Sequence, residues 1–152
     1  GNTCDAYHMT APDPDVHGSS RAISLALAER VGTDYRKMYI NAHGTSTPLN
    51  DKYETLAIRT AIGTRADSDV LVSSTKSMTG HMLGAAGGVE AIACIHVLRT
   101  GIVPPTVGYA VPDPDCDLDC VPNKSRKTDV DVSMSISLGF GGHNACIAFM
   151  QP

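Results

Sequence analysis

Apolar positions recur along this chain with two periods, and the switches between them lay out its elements. Val132, Met134, Ile136 and Leu138 alternate with Ser133, Ser135 and Ser137, the period of two that marks a strand. The turn Gly139-Phe140-Gly141-Gly142 follows, and the mostly apolar stretch 144–150 predicts a second strand, so the C-terminus reads as a β-hairpin. Short apolar runs at 38–42 and 70–74 predict buried strands. Ala22, Ile23, Ala26 and Leu27 form a helical stripe within residues 21–31, with Gly32 as its stop. Asp51 opens a second helix, in which Asp51 and Glu54 have the spacing of a capping box. Tyr53, Leu56, Ala57 and Ala61 are its expected inner face, and Gly63 ends it. A long helix is predicted over 80–99.

That last helix begins with Gly84, Ala85, Ala86, Gly87 and Gly88. Glycine weakens a helix, so the run predicts close backbone approach to a neighbouring element. Residues 1–6 read as the end of a strand and 7–20 as a loop. Pro104-Pro105 breaks the pattern before a polar, Asp-rich loop that runs to about residue 129. The order is strand, helix, strand, helix and terminal hairpin, without an internal repeat. It predicts an α/β domain with a mixed β-sheet and packed helices.

Composition narrows the choice. The 152 residues amount to one domain, and 42% are hydrophobic, ordinary for a globular protein. With no tryptophan and two phenylalanines, aliphatic and alanine side chains must fill the core. A formal charge of −4 argues against a general nucleic-acid binder. No apolar run is read as long enough to span a membrane. The five cysteines, Cys4, Cys94, Cys116, Cys120 and Cys146, are odd in number and irregular in spacing, which reads as reduced thiols. Cys94 and Cys146 lie in apolar stretches as small core residues. Cys116 and Cys120 are spaced C-x3-C among aspartates, but no second Cys/His pair completes a zinc site, so no metal is assigned. Gly1 does not read as a natural start, and the chain is expected to be a piece of something longer.

Two segments concentrate the chemistry: Asn41-Ala42-His43-Gly44-Thr45-Ser46-Thr47-Pro48 and Ser74-Thr75-Lys76-Ser77-Met78-Thr79-Gly80-His81. Each sets an imidazole after a predicted strand, where open α/β sheets build their sites. Two histidines and a lysine suit a thioester carbonyl and a departing carboxylate. No cysteine or serine sits in a recognisable nucleophile turn. Plainer readings exist for each residue. A histidine packs or caps a turn, a lysine at a strand end is a solvated charge, Glu54 and Asp51 cap a helix, and Thr45 and Thr47 bond their own backbone. A charge-disfavouring helix N-terminus just after His81 would keep that ring neutral. His8, His17 and His96 have no comparable context, and His143 is not taken as catalytic.

These segments resemble the C-terminal half of the elongating β-ketoacyl-[acyl-carrier-protein] synthases, of the synthase II type, within the thiolase-like fold. The resemblance runs from Asp5-Ala6-Tyr7-His8-Met9-Thr10 through the two motifs to Pro112-Asp113-Pro114, Cys116-Asp117-Leu118, Val121-Pro122-Asn123-Lys124 and Gly139-Phe140-Gly141-Gly142-His143-Asn144. It implies that residues 1–152 are one thiolase-like domain whose partner half, bearing the nucleophilic cysteine, lies outside the chain. None of the five cysteines matches that nucleophile. It further implies decarboxylative Claisen condensation in fatty-acid elongation, with His43 and His81 as donors to the malonyl thioester oxygen. Lys76 is implied as an organising charge, paired with Glu54. Phe140 is implied as the acyl gate, its turn supplying an oxyanion N–H, with Gly139, Gly141, Gly142, Glu54 and Asp51 in support. Thr45 and Thr47 are implied to bind pantetheine.

The implied partners are acyl carrier protein and a second copy in a homodimer, with no cofactor, nucleic acid or membrane. The implied compartment is bacterial cytoplasm or a eukaryotic organelle. Lys124, Arg126 and Lys127 form only a small basic cluster, so the main docking patch for an acidic carrier is expected elsewhere. A polyketide-type ketosynthase and a non-catalytic partner resembling a chain-length factor are the competing readings. A chain without its other half is expected to expose apolar helix and sheet surface.

Overall fold

The computed structural model describes residues 1–28 and 35–151. A five-stranded mixed sheet forms its centre, built from β1 (Asn2–Cys4), β2 (Met38–Asn41), β3 (Val70–Ser73), β6 (Val132–Gly139) and β7 (His143–Met150). Their order is β1-β7-β6-β2-β3. β3, β2 and β6 run parallel, whereas β7 is antiparallel to both β6 and β1. A separate two-stranded ribbon pairs β4 (Ile102–Val103) with β5 (Arg126–Lys127), the latter inside the stretch expected to be loop.

Alternation along the strands supplies two faces, and each is covered. Met38, Ile40, Val70, Val72, Val132, Met134 and Ile136 face α1 (His17–Ala28) and α2 (Asn50–Ile62), where they meet Ala22, Ile23, Leu27, Ala57 and Ile58. Tyr39 and Leu71 face the other way, toward Cys94, Val97 and Leu98 of α4 (Ala86–Thr100). The serines of β6 are therefore not a solvent stripe. Ser133 and Ser135 are buried on the α4 side.

The hairpin, the two short strands and the Gly63 stop of α2 stand where the pattern puts them. Several other elements differ. α1 begins at His17, inside the predicted loop, because Ser19 and Ser20 bond back to the carbonyls of Val16 and His17 and join the helix. Its predicted end at Val31 and Gly32 lies outside the described residues. α2 packs Tyr53, Ala57 and Ala61 inward as expected and also buries Glu54, Thr55 and Ile58, whereas Leu56 of the expected face is turned out and 43% exposed.

The single helix expected over 80–99 is broken. α3 (Lys76–Thr79) ends at Gly80, with φ 71°, and a 3-10 turn at Leu83–Ala85 precedes α4. Positive φ at Gly80 and Leu83 stops a continuous helix. The glycines also lack the close approach expected of them in this chain. A Cβ at Gly84 or Gly88 would meet nothing within 4 Å, and one at Gly87 only Ser137 Oγ at 3.9 Å.

Leu83–Thr100 is long and apolar enough to cross a membrane, which corrects the sequence expectation. The same stretch is seated on the sheet through Glu90, Cys94, Val97 and Leu98. Its outer face stays open: Ile92 is 69% exposed, and Ile95, Ile147 of β7 and Met150 are exposed too, the uncovered apolar surface that was expected.

Candidate active site

The three candidate segments leave the C-terminal ends of β2, β3 and β6, which lie side by side and parallel. β2 runs into His43, β3 into Lys76 and His81, and β6 into Gly139 and Phe140. Parallel strands bring the three turns to one edge of the sheet although they are distant in sequence.

The His43 and His81 rings meet edge to face, with centroids 5.4 Å apart and planes at 83°. Burial, then the neighbouring Lys76 charge, then His81 push the His43 pKa down to about 4, so this ring is neutral near pH 7. Its Nδ1 is buried and has no hydrogen-bond partner among the described residues. His81 Nδ1 accepts the Leu83 N–H at 3.0 Å. A nitrogen that accepts carries no proton, so Nε2 of His81 is the N–H donor. The helix expected to begin just after His81 starts only at Ala86, beyond the 3-10 turn, so its N-terminus is not beside the ring.

Glu54 is buried on α2 and acts on the turn in front of it. Its Oε1 accepts the His43 N–H at 2.7 Å and its Oε2 the Gly44 N–H at 2.8 Å, with Asn50 Nδ2 at 3.2 Å. Burial raises its pKa to about 7 against the pull of those donors. Asp51 Oδ1 accepts the Ser46 N–H at 3.1 Å and Asn50 Nδ2 at 3.0 Å. The pair therefore brackets the 43–46 turn, and the capping box is not formed: α2 has Leu49 at its N-cap, without a side-chain cap bond.

Lys76 does not pair with Glu54. Its ammonium bonds Glu90 of α4, and both side chains are buried. Ser135 of β6 donates to the other Glu90 oxygen at 3.1 Å. The lysine is thus a buried ion-pair member, not a solvated charge, because α3 turns it back beneath α4. Glu90 was not among the sequence candidates. Its signal was present: it is the sole acidic residue within 80–99.

Thr45 Oγ1 and Thr47 Oγ1 lie 3.0 Å apart at the surface. Phe140 is 79% exposed at the tip of the hairpin. Its turn is anchored by Gly141 N–H to Met9 O at 2.6 Å and Asp5 N–H to Gly142 O at 2.7 Å. Asn144 Nδ2 adds bonds to Asp5 Oδ1 at 3.0 Å and Gly142 O at 3.2 Å. Gly141 and Gly142 have φ of 83° and 79°, the left-handed region that glycine enters freely. His8 is structural, its Nδ1 accepting the N–H groups of Thr10 and Ala11.

Cys94, Cys120 and Cys146 are not placed as activated nucleophiles. Burial pushes Cys94 up to about 11, Cys120 to about 11 and Cys146 to about 12. Cys94 and Cys146 are buried, as their apolar context predicts.

The family described as "Beta-ketoacyl synthase, C-terminal domain" matches residues 1–110. The chain is 55% identical over 149 residues to a 3-oxoacyl-[acyl-carrier-protein] synthase 2 of Synechocystis sp., covering 98% of this chain and 36% of that protein. It is 50% identical over 151 residues to the synthase 2 of Staphylococcus aureus, covering 99% and 36%. Among solved structures it is similar to the ishigamide ketosynthase/chain length factor, with TM-score 0.91 and 40% identity over all of this chain and 36% of that one. It is also similar to a type II polyketide ketosynthase in complex with its acyl-carrier protein, AntDE:AntF, with TM-score 0.93, 36% identity and coverage of 99% and 37%. The chain spans about a third of the length of these relatives.

Proposed function

Because this chain belongs to the β-ketoacyl synthase family, as its C-terminal domain, we propose that it supplies the decarboxylating side of a 3-oxoacyl-[acyl-carrier-protein] synthase active in fatty-acid elongation. The observation that carries the reading is the pair of imidazoles at 5.4 Å with His43 held neutral. A malonyl thioester loses carbon dioxide when the electrons of the breaking C–C bond move into the thioester, leaving an enolate. Neutral rings that donate N–H bonds to its oxygen stabilise that charge without surrendering a proton, by roughly 3 kcal/mol each. The enolate carbon then attacks an enzyme-bound acyl thioester, a new C–C bond forms, and the thiolate leaves.

The acyl-carrying thiol belongs to residues outside this chain: Cys94 and Cys146 are buried core residues, Cys116 and Cys120 lie in the Asp-rich loop, and Cys4 ends β1 with its Sγ on the Gly141 carbonyl. The substrates are acyl and malonyl groups on acyl carrier protein, and Thr45 and Thr47, whose hydroxyls lie together at the surface, bond its pantetheine arm. Phe140, exposed on its glycine turn, gates the acyl site. Arg126 is already engaged by Asp119, which leaves Lys124 and Lys127 as a weak docking patch. The intact enzyme is a homodimer in the bacterial cytoplasm or a eukaryotic organelle.

Identity of 50–55% to the fatty-acid synthases, against 36–40% to the polyketide-type structures, favours elongation over polyketide assembly. A paired set of oxyanion donors has no use in a non-catalytic chain-length factor. The test is the intact protein containing this chain, given malonyl and acyl carrier protein. Release of carbon dioxide with a 3-oxoacyl product supports the reading. A coding sequence without a nucleophilic cysteine upstream of Gly1, or no release of carbon dioxide, refutes it.

A further inference from the structure

Backbone pairing between β2 and β3 reaches Asn41 and Ser73, with the Ala42 N–H to Ser73 O bond of 2.9 Å as its last rung. Beyond that rung the chains part, one toward His43 and the other toward Lys76. The Asn41 side chain continues the pairing where the backbone no longer can. Its Oδ1 accepts from the Thr75 N–H at 3.2 Å and from Thr75 Oγ1 at 3.3 Å, and its Nδ2 donates to Thr75 Oγ1 at 3.1 Å. Asn41 is fully buried and Thr75 nearly so. A buried amide with both ends engaged is rigid, because every alternative orientation leaves a polar group unpaired. The two turns also touch just above this clamp, where a Cβ at Gly44 would stand 2.5 Å from Ser74 Cβ.

We propose that Asn41 is a positioning residue, which through Thr75 fixes the separation of the His43 turn from the segment carrying Lys76 and His81, and thereby sets the rate of decarboxylation. The inference rests on the functional reading above. Donors to a developing enolate work only when aimed at one oxygen, and Asn41 precedes His43 by two residues while Thr75 directly precedes Lys76. The Phe140 turn is held instead by Asp5, Met9 and Asn144, so acyl loading does not run through the clamp.

The test uses the intact protein containing this chain and the variants Asn41→Ala, Thr75→Val, Thr75→Ser and Asn41→Ala/Thr75→Val. It measures kcat and KM for malonyl-thioester decarboxylation, the rate of acyl loading, and the thermal midpoint. Asn41→Ala and Thr75→Val each lower decarboxylation kcat about tenfold or more, with KM and acyl loading within about twofold of wild type. Thr75→Ser keeps both the N–H and the hydroxyl and stays within about twofold, and the double variant is no worse than the worse single one. Unchanged decarboxylation overturns the proposal, as does an equal loss in decarboxylation and loading, which marks a merely structural role. Should Asn41→Ala not fold, Thr75→Val decides, since it keeps the backbone N–H bond. A wild-type protein that does not decarboxylate overturns the functional reading and this inference with it. Wild-type activity with unmoved variants overturns the inference alone.

Discussion

Lys76 and Glu90 form an ion pair in which the two side chains are only 6% and 2% exposed. The pair joins α3 to α4, and Ser135 ties it to β6. Desolvating two charges is tolerated only while each has its partner. Lys76→Met leaves Glu90 as a lone buried carboxylate and is expected to cost about 3–5 kcal/mol. Lys76→Met/Glu90→Leu recovers most of that loss. Urea unfolding of the intact protein measures both, and a double variant as unstable as the single one contradicts the account.

His43→Ala and His81→Ala each remove one donor and are expected to slow malonyl decarboxylation by about 10²–10³-fold with the fold retained. Single-turnover release of carbon dioxide, with circular dichroism as the control, reads the result.

The lowered His43 pKa has a stability consequence. Unfolded, the ring titrates near 6.5; folded, near 4. Its contribution to stability is complete above pH 6.5 and is lost as pH falls toward 4, because the unfolded chain then binds the extra proton. His43→Ala should flatten the decline of stability across that window, as followed by thermal midpoints at stepped pH.

Glu54 has the opposite sign. With its pKa raised from 4.5 to about 7, its contribution is complete below pH 4.5 and is lost as pH rises through 7. Glu54→Gln keeps an acceptor for His43 N–H but sets an amide against Gly44 N–H, at a cost of about 1–3 kcal/mol. The deficit relative to wild type is greatest below pH 4.5 and narrows as pH rises toward 8. A deficit that widens with pH would contradict the assignment.

Gly142→Ala combines a φ of 79° with a Cβ driven onto the Asp5 carbonyl oxygen. Loss of more than about 1 kcal/mol is expected. Limited proteolysis should locate the loosened segment at the Phe140 turn.

Strong local periodicity made much of the fold legible. The hairpin and the short buried strands needed only alternation and apolar runs, together with glycines at the turns. The His43, His81 and Phe140 segments were also legible, because each places unusual residue types after a strand. What failed did so where local pattern has no access to the third dimension. Leu56 fits a helical stripe, but the side of α2 that meets the sheet is chosen by α1 and β2. Asp51 and Glu54 have the spacing of a cap, yet the nearest unsatisfied N–H groups belong to the preceding turn.

By itself the sequence determined the element order, the two motifs and the likeness to ketoacyl synthases, since propensity, period and motif spacing are written along the chain. Only the tertiary structure decided the partners: Lys76 with Glu90, Asn41 with Thr75, and the low pKa of His43. Those depend on which side chains the parallel strands and α4 enclose together. Burial and the distance between residues far apart in sequence, the two quantities that set buried electrostatics, exist only once the chain has folded.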